Sequence, residues 1–286
     1  MLLFKRSNKK QSSLFSVDEK YTIPVFDSLA LRIYSDTSPH NWKIASLQRG
    51  LILTYRGREI VGAGAGFGFP TLVCSNELNF SSSARVRIFQ QGKATVIQKE
   101  FFIDRIKRNR FQRATLESRK ARNMLDIAAI LYRKYFRVLR LKDLLIRFGV
   151  RTEFMSIPNV GFVTMTYVID RGLVRVKADF AHVKKKDLKA ILLLNERSSR
   201  FFRVYSDSNG SKLVDAEIGH WGIVRADHAS ITDIDCKIGF RLRQMENSIL
   251  RKGQEYLNGF LDWVGLDYEI NPNCLAFEYA IEIMEG

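Results

Sequence analysis

The sequence predicts a mainly β protein with a helical insertion: a large antiparallel β-sandwich, supersandwich-like, with one long or two shorter α-helices around 115–148. Three observations carry this. After residue 20 most of the chain falls into short runs rich in β-branched and aromatic residues, bounded by polar or glycine-bearing stretches. One pair of runs alternates apolar and polar side chains along its length, as an antiparallel sheet with one buried and one wet face requires. A single segment lacks Gly and Pro and repeats its apolar residues at helical spacing.

Taken in order, residues 1–20 are polar, basic and without a period, and read as a mobile basic arm. A secretory signal places basic residues before an apolar stretch of roughly 7–15 residues. Here Leu2, Leu3 and Phe4 precede Lys5 and Arg6, and no window approaches the roughly 18 apolar residues of a membrane span. The expectation is a cytoplasmic protein with no transmembrane segment and reduced thiols. Strands follow at Tyr21–Ser35, Ile44–Val61, Phe69–Phe80, Ala84–Gln90 and Ala94–Ile106, with hairpin tips at Arg56-Gly57-Arg58 and Gln90-Gln91-Gly92-Lys93.

Thr115–Phe148 is the helical exception. Leu125, Ala128, Ala129, Tyr132, Phe136, Leu139 and Ile146 recur at three- and four-residue spacings, with Thr115 as N-cap and Gly149 after the last turn. The clearest hairpin comes next, Val160–Ile169 returning as Leu173–Ala181 about a two-residue tip at Arg171-Gly172. Val163, Met165, Tyr167 and Ile169 then face Phe180, Ala178, Val176 and Val174, while Thr164, Thr166, Arg175, Lys177 and Asp179 form the wet face. Further strands are expected at Ile191–Glu196, Phe201–Tyr205, Ala216–Ala226, Ser230–Gln244, Gly259–Ile270 and Leu275–Met284. The chain thus reads as one large β-rich domain over 21–286, its halves 21–112 and 150–286 joined by a basic helical element at 115–149. No repeat of fixed period is present.

Composition excludes several classes. Among 286 residues there are three cysteines, Cys74, Cys236 and Cys274, and no CxxC, so neither a disulfide framework nor a usual structural zinc site is expected. Cys74 and Cys236 sit in apolar runs and are expected to be buried and inert. The net charge of +16 is unevenly spread. Between Asp104 and Arg147 fourteen basic residues stand against four acidic ones, whereas Glu255–Gly286 holds seven acids and no Lys or Arg. Arg119, Arg122, Arg133, Lys134 and Arg137 are the candidate polyanion-binding residues, with nucleic acid as the first partner. The same charges could instead dock the acidic C-terminal strands of a neighbouring copy in a homo-oligomer.

Gly62-Ala63-Gly64-Ala65-Gly66-Phe67-Gly68 fits neither a dinucleotide fingerprint nor a phosphate loop. Alternate glycines in an extended chain clear one face, so a sugar ring, an aromatic plate or another backbone can approach closely. Gly64 and Gly66, with Asn76, Arg85 and Arg87 downstream, form the candidate ligand-binding set. A third candidate rests on a hairpin of Ala216–Ala226 with Ser230–Lys237 about Asp227-His228. That register sets His220 opposite Asp235, with Asp233 two residues along. An imidazole oriented by a carboxylate suits proton transfer, and His220, Asp235, Asp233 and Glu77 are the candidate catalytic residues. No cofactor or metal is expected.

At the level of fold, the size and the long antiparallel meander resemble the large β-sandwiches of the galactose-mutarotase kind, although no specific motif ties the chain to them. The resemblance implies a sugar held on the concave face of one sheet by His and carboxylates from strands. The functional expectation is therefore a carbohydrate-binding or carbohydrate-active protein, epimerase-, lyase- or hydrolase-like, taking an acidic or neutral saccharide. The alternatives are a non-enzymatic polyanion-binding protein acting through 105–147, or an assembly subunit.

Overall fold

The structure is a computed structural model that describes residues 20–34, 49–61, 66–74, 77–111, 151–185, 187–196, 201–257 and 260–286. The strands are β1 (Lys20–Pro24), β2 (Leu29–Tyr34), β3 (Ile52–Tyr55), β4 (Arg58–Val61), β5 (Gly66–Cys74), β6 (Glu77–Gln91) and β7 (Ala94–Phe111). After them come β8 (Arg151–Asp170), β9 (Leu173–Asp179), β10 (Leu188–Glu196), β11 (Val204–Asp207), β12 (Lys212–Val214), β13 (Gly222–Ile223) and β14 (His228–Thr232). The last are β15 (Ile238–Arg243), β16 (Ser248–Leu257), β17 (Phe260–Ile270) and β18 (Ala276–Glu285). The described residues are mainly strand and hold no α-helix, only a 3-10 turn at Asp215–Ile218. The helical element expected over 115–148 and all of the arm expected over 1–20 except Lys20, which opens β1, lie outside them. No helix among the described residues is long and apolar enough to cross a membrane.

Two compact units divide the chain: Met1–Arg105 with Pro158–Gly286, and Ile106–Ile157. Of the second, only 106–111 and 151–157, belonging to β7 and β8, are described. In the first unit the strands form three antiparallel sheets. A four-stranded sheet runs β1-β2-β3-β4. The other two are continuous in the order β12-β11-β14-β15-β18-β9-β8-β7-β6-β5-β10-β17-β16-β13, because β6 serves both. Its first residues, Glu77–Asn79, pair with β5, and Phe80–Gln91 pair with β7. We call the portion from β12 to β6 the front sheet and the portion from β6 to β13 the back sheet.

The front and back sheets bury a shared core, as period-2 alternation dictates. Front-sheet Phe240 meets back-sheet Phe67 edge-on at 5.0 Å, and back-sheet Tyr268 meets Tyr279 and Phe277 of β18 at 4.9 and 5.1 Å. The β8–β9 hairpin has the expected register: Met165 faces Ala178, Tyr167 faces Val176, Ile169 faces Val174, and Asp170 pairs with Leu173 across Arg171-Gly172. The tips at Arg56-Gly57 and Gly92-Lys93 also fall where the sequence puts them, closing on Tyr55↔Arg58 and Gln91↔Ala94.

The glycine run acts at Gly66 and Gly68, and the approaching group is protein. Leu51 and Phe67 exchange two backbone hydrogen bonds, of 2.9 and 2.7 Å, tying the chain entering β3 to β5. The pairing of β5 with β10 shifts by one residue at Gly68, whose φ is +70°. This is a bulge of the kind that favours a left-handed glycine. Its N–H loses its ladder partner and donates instead to Asn195 Oδ1 at 3.0 Å. The same oxygen accepts the Tyr279 hydroxyl at 2.8 Å, Asn195 Nδ2 donates to Leu193 O at 3.1 Å, and the Asn195 N–H donates to Asp267 Oδ1 at 2.8 Å. The Tyr167 hydroxyl donates to Phe67 O at 3.0 Å. Burial pushes the Tyr167 and Tyr279 phenols up, so both stay neutral donors. The buried polar atoms of the bulge are therefore satisfied by side chains from both sheets.

Two sequence expectations need correction here. Ala216–Ala226 is not a strand: it holds most of the 3-10 turn, its C-cap Gly219 with φ +75°, a bend at His220 and Trp221, and only β13, which pairs with β16. β16, absent from the sequence reading, is a ten-residue strand. Its core-facing positions include Lys252 and the buried Gln254, so it lacks the apolar alternation that marks a strand.

Candidate functional site

The front sheet turns a polar face away from the core. Alternation in β8, β9 and β18 places Thr164, Thr166 and Val168, then Arg175 and Lys177, then Glu278, Ala280 and Glu282 on that side, opposite the buried Met165, Val176 and Tyr279. Register brings them together: Thr166 pairs with Lys177, Lys177 with Glu278, Val168 with Arg175, and Arg175 with Ala280. The result is a depression of about 760 Å³ whose lining includes Thr166, Arg175, Lys177, Arg243, Met245 and Glu278.

Its charges are mixed. Lys177 Nζ lies 2.8 Å from Glu278, whose hydrogen bond holds the ammonium above its ordinary range. Glu282 takes both Arg241 at 3.3 Å and Arg243 at 3.0 Å. Arg175 is exposed and makes no ion pair among the described residues. Exposed pairs of this type contribute little to stability and exchange readily, so donors and acceptors on this face are free to meet a ligand.

Further along the same face the surface becomes aromatic. Phe162, two residues before Thr164 on β8, lies 6.0 Å from Phe102 of β7 between ring centroids. Exposed His182 stacks on Phe162 at 4.3 Å with planes 17° apart. The Arg85 guanidinium sits 5.7 Å from the Phe102 centroid and 3.4 Å from Glu100. Arg87, on the same face of β6, is exposed and has no ion pair among the described residues.

The residues expected to be functional fare differently. Arg85 and Arg87 do lie together on this outer face. Gly66 is buried, and a Cβ there would meet Leu51 O at 2.9 Å, so backbone fills the space assigned to a ligand. Gly64, Asn76, Arg119, Arg122, Arg133, Lys134 and Arg137 lie outside the described residues. The hairpin meant to unite His220 with Asp235 and Asp233 does not form. His228 enters β14, which pairs with β11 and β15 (His228↔Arg243), and exposed His220 precedes β13 at the edge of the back sheet. Asp233 instead shapes the β14–β15 tip, its carboxylate accepting the N–H groups of Lys237 at 2.7 Å and Ile238 at 2.9 Å. Asp235 is exposed in that tip, as is Cys236, which has φ +57° and is not buried as expected. Glu77, at the start of β6, is separated from β13 by four strands of the back sheet. No group of three His, Cys, Asp or Glu among the described residues could hold a metal ion.

The sequence had placed Arg175 and Lys177 on a wet face. What it missed was Glu278, Glu282 and Arg243 beside them, because β18 joins β9 through a pairing about 100 residues apart in sequence and β15 comes near only by pairing with β18, about 45 residues away.

A second polar cluster closes one end of the core. Tyr205 donates to Asp207 Oδ2 at 2.7 Å, Lys252 Nζ donates to Ile218 O at 2.7 Å, and it lies 5.0 Å from the Tyr205 ring centroid. Burial lowers the Lys252 ammonium, partly opposed by Asp207. Partial burial pushes the Asp207 carboxyl up, but hydrogen bonds from Tyr205, Ser211 and Asn209 outweigh it and leave the group below its ordinary range. A carboxyl with a depressed folded-state pKa stabilises the fold above its unfolded pKa of roughly 3.9, and that contribution fades as pH falls through the folded value. Asp207→Asn should therefore flatten the acid limb of a stability-versus-pH curve below about pH 4. An unchanged limb in urea titrations would show that these hydrogen bonds contribute nothing.

Compared with known protein families and with curated proteins, the chain matches none.

Proposed function

We propose that the chain is a large β-sandwich that binds a saccharide, acidic or neutral, on the outer face of its front sheet. The observation that carries this reading is the mixed lining of the depression: the Arg175 guanidinium, without an ion pair among the described residues, beside Thr166 and the exposed Lys177–Glu278 pair. Each sugar hydroxyl both donates and accepts, so a saccharide site needs donors and acceptors side by side, which Arg175, Thr166 and the Lys177–Glu278 pair supply. A polyphosphate would meet Glu278 and Glu282 with repulsion. The reading is of a binding protein: His220 precedes β13, Asp233 and Asp235 share the β14–β15 tip, and Glu77 opens β6, so proton transfer by that set is not part of it. It retains a cytoplasmic location and leaves assembly into a homo-oligomer to be measured.

Arg175→Ala should weaken saccharide binding by roughly tenfold or more, the worth of a hydrogen bond from a charged donor. Because Arg175 is exposed and has no ion pair among the described residues, the melting temperature should barely move. Calorimetric titration against a panel of neutral and acidic oligosaccharides reads the first effect and a thermal melt the second. Equal affinity of the variant, or no saccharide bound at millimolar concentration, would overturn the reading.

A further inference from the structure

Resting on that reading, we infer that the outer face takes a chain of linked anionic sugars, uronate or sulfated, rather than a single sugar, across two subsites. One subsite is the Arg175 depression and the other is the Phe162–His182 shelf. Both lie on one face of β8: Phe162 and Thr166 are four residues apart with the same orientation. At roughly 3.3 Å per residue the two are about 13 Å apart. One sugar ring cannot reach both, whereas a short chain can.

The shelf has what a sugar ring's apolar side needs. His182 is exposed and lies nearly parallel to Phe162, so its outer face is an open plate held flat from beneath. The charge class follows from the guanidiniums at both ends. Arg175 serves one subsite, and Arg87 and Arg85 stand on the same sheet face as the shelf, Arg87 without an ion pair among the described residues and Arg85 holding Glu100 only at 3.4 Å. Planar guanidinium forks match carboxylate and sulfate oxygens. Glu100 of β7 lies between these arginines, and Glu278 and Glu282 of β18 lie beyond Arg175; these carboxylates accept sugar hydroxyl protons, of which a single-stranded nucleic acid offers fewer.

The test measures affinity of the full chain for sulfated and uronate di-, tetra- and hexasaccharides, a neutral chain of equal length, and single-stranded RNA of matched charge. Affinity should rise about tenfold or more from di- to tetrasaccharide and then level off, and the neutral chain should bind more weakly. His182→Ala, an exposed change, should remove most of that gain, while Arg175→Ala should weaken all lengths. Affinity that is flat with chain length, a neutral chain bound as tightly, or no effect of His182→Ala overturns the two-subsite inference and leaves saccharide binding standing. No saccharide bound at all overturns the underlying reading, and RNA bound more tightly than any saccharide overturns both.

Discussion

Asn195→Ala should lower the melting temperature by on the order of 10 °C. The side chain is fully buried, and its amide oxygen is the acceptor for both the Gly68 N–H at 3.0 Å and the Tyr279 hydroxyl at 2.8 Å. Alanine leaves two buried donors without a partner, each costing about 1–3 kcal/mol. At a few degrees per kcal/mol for a protein of this size, that gives the stated shift. Tyr279→Phe removes one of those donors, so the double variant should lose less than the sum of the single losses. Scanning calorimetry on the four proteins closes the cycle. A shift within about 2 °C for Asn195→Ala would show that the bulge finds another acceptor.

The second large effect is expected at Gly50. A Cβ there would stand 2.0 Å from Phe67 O and 2.7 Å from Phe67 C, both backbone atoms that cannot rotate away. Relief requires breaking the two Leu51–Phe67 hydrogen bonds, of 2.9 and 2.7 Å, which hold the four-stranded sheet to β5. That sheet also covers Lys99, whose ammonium donates to Tyr34 O at 3.2 Å and Arg49 O at 2.8 Å. Parting them exposes Lys99 and the apolar residues around it, so Gly50→Ala should cost several kcal/mol, on the order of the largest single-substitution effects. Gly57→Ala is the control: φ is +78° but no atom stands within 4 Å, so only backbone strain of about 1–2 kcal/mol is at stake. Chemical denaturation of both variants decides it, and equal losses would refute the steric argument.

Local pattern carried the sequence reading where a strand's partner is its neighbour. In β8 and β9 every second residue is apolar and the tip is short, so turn and pleat together leave one register. The run 216–226 failed for the opposite reason. Its apolar residues Ile218, Trp221 and Val224 pack from a turn, a bend and the residue after β13, while Ile223 of β13 is exposed. Trp221 lies on Gly253 of β16, where a Cβ would meet it at 2.7 Å. The imagined His220–Asp235 pair fell with that register. The Asp233 turn was legible in principle, since an Asp opening a tip accepts the N–H groups that follow it.

The sequence by itself determined a mainly β chain, its antiparallel character, three of the short hairpin tips, and the face on which Arg175 and Lys177 lie. These depend on side-chain alternation and turn chemistry, which act over a few residues. Only the tertiary structure decided that β18 and β15 bring Glu278, Glu282 and Arg243 to Arg175, and that Leu51 and Tyr167 occupy the space beside the glycines. It also decided that His182 lies flat on Phe162. Each of these is a contact between residues far apart in sequence or between two sheets, and its energy comes from complementary shape and hydrogen bonding that no local pattern encodes.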